Sequence, residues 1–183
     1  MAETIADEFL LQNARRGDQD SFGHLYERYR DEIFSFVYRL SGSTGLAEAV
    51  THDCFLRLLK ESEHKLTGEP GWIRLYLYST AHDLAKQYAF DLDQQSIGID
   101  LGSDGNRTSY GKDHEAAVLK IRKAIASLPL FDREILILTE YHGLELNEVA
   151  AVVRADKHEV AEGLATARDQ LKLLLVNNRS ENR

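Results

Sequence analysis

The stretch from Leu128 to Leu175 constrains the fold most, because it sets three apolar-periodic segments around tight breaks. Pro129 lacks the N–H that a helix interior needs and pushes Leu128 away from α geometry, so a helix arriving from upstream ends there. Beyond it, Ile135, Leu136, Leu138 and Thr139 share one face of a short helix, closed at His142-Gly143 because glycine takes the left-handed conformation that ends helices. Leu146, Val149, Ala150 and Val153 mark a second short helix. Asp156 is placed to accept the free N–H groups that open a third, whose Val160, Leu164, Ala167, Leu171 and Leu174-Leu175 recur at helical spacing. Two helices across so tight a connection form a helix-turn-helix, in which the second helix is the one that would enter a DNA groove. A small helical bundle without nucleic acid shares the spacing. The third helix would expose Lys157, His158, Glu159, Ala161, Glu162, Gly163 and Thr166, with Arg168 further on, and its carboxylates oppose phosphate binding.

A chain of 183 residues, 43% hydrophobic, can bury a real core in one domain or two small ones. β-Branched alternation between turn residues is missing nearly everywhere, so the expected fold class is all-α. No apolar run approaches the length of a membrane span, and Met1 to Glu8 is acidic where a signal peptide would be basic and then apolar, which points to a cytoplasmic protein. Cys54 is the only cysteine, which excludes internal disulfides and multi-cysteine zinc sites, and the histidines form no pair at metal-binding helical spacing. No metal or other cofactor is expected. A net charge of −8 argues against adhesion to nucleic acid over the whole surface, and in neither half do Lys and Arg outnumber Asp and Glu. An enzyme is a poor fit too, because no Ser/His/Asp or Cys/His set, glycine-rich phosphate loop or metal cluster is present.

Upstream, a helix from about Asp7 to Arg16 carries Phe9, Leu10 and Ala14 inward and stops at Gly17-Asp18. The next runs from about Asp20 to Leu40 with Phe22, Leu25, Tyr26, Tyr29, Ile33, Phe36, Val37 and Leu40 in one broad apolar stripe. After the turn Ser41 to Gly45, with Thr44 as the expected N-cap, a helix from about Leu46 to Glu61 turns Ala47, Val50, Thr51, Cys54, Phe55 and Leu58 inward. A polar loop then leads to a helix from about Trp72 to Tyr88, where Trp72 fits either core packing or base stacking. Residues 91–112 concentrate Gly, Asp and Ser without helical period and read as a flexible acidic linker. A helix from about His114 to Ser127, with Val118, Ile121, Ala124 and Ile125 inward, completes the C-terminal unit. The expected organisation is two small helical domains, 1–90 and 113–176, joined by that linker and followed by a tail, 177–183.

Two sets of residues resemble one known family. Gly17-Asp18, Ser21-Phe22, Leu25-Tyr26 and Tyr29, followed by Ala47-Glu48-x-Val50-x-x-Asp53-x-Phe55-Leu56, are similar to the N-terminal promoter-binding domain of RNA polymerase sigma factors of the extracytoplasmic-function (ECF) class. Leu128-Pro129-x-x-x-Arg133, Gly143-Leu144, Glu148-Val149-Ala150, Val160, Leu164 and Ala167-Arg168 resemble the C-terminal domain of the same class. The two sets stand in family order and together cover most of the chain.

The resemblance implies a protein that binds core RNA polymerase, its β′ and β subunits, and promoter DNA, and is itself held by an anti-sigma factor. Polymerase docking would fall to Glu48, Ala49, His52, Asp53, Leu56 and Leu59, promoter melting to Lys65, Trp72, Arg74, His82 and Lys86, and recognition-helix contacts to Lys157, His158, Glu159, Glu162, Thr166 and Arg168. The chain departs from the family at Ala49, His52 and Asp53, where an acid, Gln and Glu are usual. In the recognition helix, where Thr-Val-Lys-Ser-Arg-Leu-x-Arg-Ala-Arg is common, it reads Glu159-Val160-Ala161-Glu162-Gly163-Leu164-Ala165-Thr166-Ala167-Arg168, keeping the buried residues and only the last cation. Those losses leave a second expectation open, a sigma-like interaction protein that binds polymerase or an anti-sigma factor without reading DNA sequence.

Overall fold

The computed structural model describes residues 6–61, 71–93 and 112–180. Among these residues every regular element is helical, as the periodicity predicts. The contacts divide the chain into two units, residues 1–100 and residues 101–183.

In the first unit α1 spans Asp7–Arg15, α2 Gln19–Ser41, α3 Thr44–Lys60 and α4 Trp72–Asp93. Asp18 caps α2, accepting from the backbone N–H of Asp20 at 3.2 Å and from the Ser21 hydroxyl at 2.5 Å, so two donors at the helix start are satisfied by one carboxylate. Gly42 ends α2 at φ +71°, a left-handed conformation that costs glycine nothing. The cap of α3 is Ser43 and not Thr44: Ser43 is extended and its Oγ accepts from the Leu46 N–H at 3.2 Å, while Thr44 is already helical.

Helix α2 packs against α1, α3 and α4, and its Leu25, Ile33, Phe36 and Val37 are buried in one core with Val50, Cys54, Phe55 and Leu58 of α3. Each such side chain contributes about 1.5–3 kcal/mol by leaving water. The ring of Phe36 meets that of Tyr78 edge-on, centroids 5.6 Å apart. Helix α1 turns Leu10 and Leu11 to this core and leaves Phe9 57% exposed, which corrects the expectation for Phe9. Its attachment is polar as well: Asp7 accepts from Arg28 and from the Tyr29 hydroxyl, and Arg15 donates to the Leu58 carbonyl of α3 at 2.8 Å.

In the second unit α5 spans Lys112–Ala126, α6 Leu130–Leu136, α7 Leu146–Val153 and α8 Lys157–Ser180. Arg133 explains the break at Leu128-Pro129, because its guanidinium donates to the carbonyls of Ala126 and Leu128 where proline has no N–H to offer. The helix expected up to His142 changes character part-way. Residues Ile137–Tyr141 form a π-helical turn, closed by the His142 N–H on the Ile137 carbonyl at 3.3 Å, before Gly143 reverses the chain at φ +64°.

Helix α8 packs on α5, α6 and α7 through Val160, Leu164 and Ala167. Asp156 caps it as expected, its Oδ1 accepting from the Glu159 N–H at 2.8 Å. Two other expectations are corrected. Ile121 is 37% exposed, the inward face of α5 being carried by Ala124 and Ile125. Gly163 is buried, because Ile135 and Phe131 of α6 lie against it. Helix α4 continues to Asp93 and α8 to Ser180, beyond the ends the spacing suggests.

Candidate functional site

Helix α3 is two-faced for a simple reason: Ala47, Val50, Thr51, Cys54, Phe55 and Leu58 fill the core, so the residues between them must look outward. Glu48, Ala49, His52 and Leu56 are exposed and Asp53 and Leu59 half-buried beside them, so the six predicted docking residues share one side of the helix. Leu56 is an apolar residue left 37% exposed in the middle of that stripe. Asp53 reaches across to α4, where the Tyr88 hydroxyl donates to its Oδ2 at 2.7 Å.

Four of the predicted melting residues lie on α4, and the structure treats each differently. Trp72 is half-buried, packs edge-on against Tyr76, and with Ala6, Glu8, Phe9, Leu11, Gln12 and Arg15 walls a concavity of about 450 Å³. Arg74 is engaged inside the unit: its Nε donates to Glu32 Oε2 at 2.9 Å, and its guanidinium lies 5.3 Å from the centre of the Tyr78 ring. Lys86 is exposed. His82 is only 3% exposed, so it belongs to the core and not to a surface that meets DNA. The cause is that α4 packs against both α2 and α3, which widens its buried arc beyond the single face the spacing suggested. Lys65 lies outside the described residues.

Tyrosines on α4 tie carboxylates of neighbouring helices, a feature sequence reading missed. Tyr78 donates to Glu32 of α2 at 3.1 Å, Tyr76 to Glu61 at the end of α3 at 3.0 Å, and Tyr88 to Asp53. Burial and the neighbouring carboxylates raise the phenols: Tyr76 is pushed up to about 12 by burial and Glu61, and Tyr78 higher still by burial and Glu32. The only sequence signal was tyrosines recurring among apolar positions of one helix, which reads equally as core.

On α8, Lys157, His158, Glu159, Glu162, Thr166 and Arg168 are all exposed, as predicted. Arg168 is committed locally, since its Nε donates to Glu140 of the π turn at 2.9 Å and its second nitrogen bonds the same oxygen. His158 Nδ1 lies 3.5 Å from Glu162 Oε2. The face a DNA groove would meet therefore carries two carboxylates, one paired guanidinium and Lys157.

No family model matches the chain. Curated proteins do: the RNA polymerase sigma factor YlaC of Bacillus subtilis is 26% identical over 171 residues, covering 90% of this chain and 98% of the relative. The ECF RNA polymerase sigma-E factor of Escherichia coli K12 is 24% identical over 184 residues, covering 93% and 95%. The chain is similar to sigma factors of the ECF class along most of its length. Its fold is shared with sigma-factor structures as well. The structure of CnrH in complex with the cytosolic domain of CnrY aligns at a TM-score of 0.63 and 19% identity, over 94% of this chain and 99% of that one. The sigma factor RpoE in complex with the anti-sigma factor NepR from Bartonella quintana aligns at 0.64 and 18%, over 84% and 96%. The similarity covers nine-tenths of the chain and not the helix-turn-helix alone, a motif that many unrelated proteins contain.

Proposed function

We propose that the chain is an alternative sigma factor that binds core RNA polymerase through the exposed side of α3 and directs promoter-specific initiation, performing no chemistry of its own. The observation that carries this is the end-to-end relation to YlaC and sigma-E, which spans both units at nine-tenths coverage or more. The stripe of Glu48, His52 and Leu56, exposed with Asp53 half-buried beside them, supports the docking role, since Ala47, Val50, Cys54 and Leu58 on the other side of α3 fill the core. Trp72 and Lys86 are the candidates for the melted strand, and the exposed side of α8 for the upstream element. Its partners are core polymerase, promoter DNA and an anti-sigma factor, and its place of work is the cytoplasm. In vitro transcription of genomic DNA with core polymerase tests this, with the expected result that the protein adds transcript 5′ ends sharing upstream sequence elements.

One observation favours a second role, a sigma-like protein that binds polymerase or an anti-sigma factor without reading DNA: on α8, Arg168 is taken by Glu140, and Glu159 and Glu162 are exposed on the same helix. Polymerase binding without any new 5′ ends would select it.

A further inference from the structure

We propose that Tyr88 is a positioning residue for polymerase docking, acting through Asp53. The inference rests on the docking role given above to α3. Tyr88 and Asp53 belong to different helices, α4 and α3, and both are half-buried at the edge of the exposed stripe. The phenol donates to Asp53 Oδ2 at 2.7 Å, a well-formed O–H···O hydrogen bond. Such a bond selects one rotamer of Asp53 before any partner arrives. It uses Oδ2 alone and leaves Oδ1 to meet a cation on the partner. A free aspartate on a helix surface would have to be ordered at the moment of binding, and that ordering is what the tyrosine removes.

The same bond makes α4 a support of the docking face. The helix that carries Trp72 and Lys86 thereby fixes a charge on the helix that meets polymerase, so the two surfaces share one hydrogen bond and not only a common core.

The test measures affinity of the full chain for core RNA polymerase, together with urea unfolding, for the native protein, Asp53→Ala, Tyr88→Phe and the double variant. The expected result is that Tyr88→Phe weakens polymerase binding about threefold to tenfold, the cost of ordering one side chain. On the Asp53→Ala background the same substitution adds no further loss, because the residue it acts through is gone. Asp53→Asn, which keeps an acceptor for the phenol, separates charge from packing by weakening binding at an unchanged unfolding midpoint. If Asp53→Ala and Asp53→Asn both bind polymerase normally, the docking face itself is misassigned. If Asp53→Ala weakens binding while Tyr88→Phe is silent, or if the Tyr88→Phe loss persists undiminished beside Asp53→Ala, the docking face stands and the positioning role of Tyr88 is overturned.

Discussion

Gly163 on α8 and Ile135 on α6 stand so close that a β-carbon on the glycine would lie 2.9 Å from Ile135 Cδ1, with Phe131 Cε1 at 3.3 Å. The approach of the two helices is therefore set by the absence of a side chain. A long side chain such as arginine there would have to displace Ile135 and Phe131 of α6.

Gly163→Arg is expected to destabilise the second unit by about 3 kcal/mol, as overpacking of a filled core does. Gly163→Ala should differ from the native protein by less than about 1 kcal/mol, because the helix propensity gained offsets a small shift of the Ile135 methyl. Urea unfolding of both variants checks the contrast, and an arginine tolerated as well as alanine would refute the packing role.

Cations placed where α8 is truly exposed should behave differently. Ala161, Ala165 and Thr166 are all solvent-facing. The combined variant Ala161→Lys, Ala165→Arg, Thr166→Arg is expected to bind duplex DNA more tightly, with a log–log salt slope steeper by about 0.9 for each phosphate newly met. Anisotropy titrations at several salt concentrations read the slope. An unchanged slope would show that this side of α8 does not face DNA.

Alkali should unfold the first unit through its phenols. Tyr76, Tyr78 and Tyr29 have pKa values raised in the folded state above their ordinary 10, with Tyr76 pushed up to about 12. The folded protein thus holds these protons more tightly than the unfolded chain. Their contribution to stability is fully present below about pH 10 and is lost as pH rises toward about 12. Urea midpoints at pH 9, 10 and 11 should fall in that order, and Tyr78→Phe should fall less steeply over the same range.

The cap of α3 gives a fourth contrast. Ser43→Ala removes the acceptor of the Leu46 N–H and should cost about 1 kcal/mol, while Thr44→Ala, one residue inside the helix, should cost no more than a few tenths. The reverse order would return the cap to Thr44.

Much of this fold is written in apolar spacing. Leu25, Ile33 and Phe36 of α2, the two faces of α3, and Val160, Leu164 and Ala167 of α8 are buried where their periods place them, and Asp156 caps α8. What spacing does not encode is how many neighbours a helix has. His82 is buried because α4 packs on two helices, and Gly163 because α6 comes close, and both depend on residues distant in sequence. The Ser43 cap was missed because adjacent serine and threonine offer the same chemistry and only backbone angles decide between them. The π turn leaves no mark on a short apolar run. Of the candidate site, the exposed sides of α3 and α8 were legible as the complement of the core, but the tyrosine bonds to Glu32, Glu61 and Asp53 were not, since nothing local pairs those residues.

The pairing of Arg168 with Glu140 bears on how such a protein would find its target. A genome offers about 10⁶–10⁹ sites of the wrong sequence, and any free subunit with a strongly cationic surface spends most of its time on them. A recognition helix whose Arg168 is internally occupied would spend little time on random duplex. In the proposed role, the search would then be conducted by the assembled polymerase and not by the lone subunit, and what limits promoter occupancy would be the supply of enzyme willing to exchange its specificity subunit.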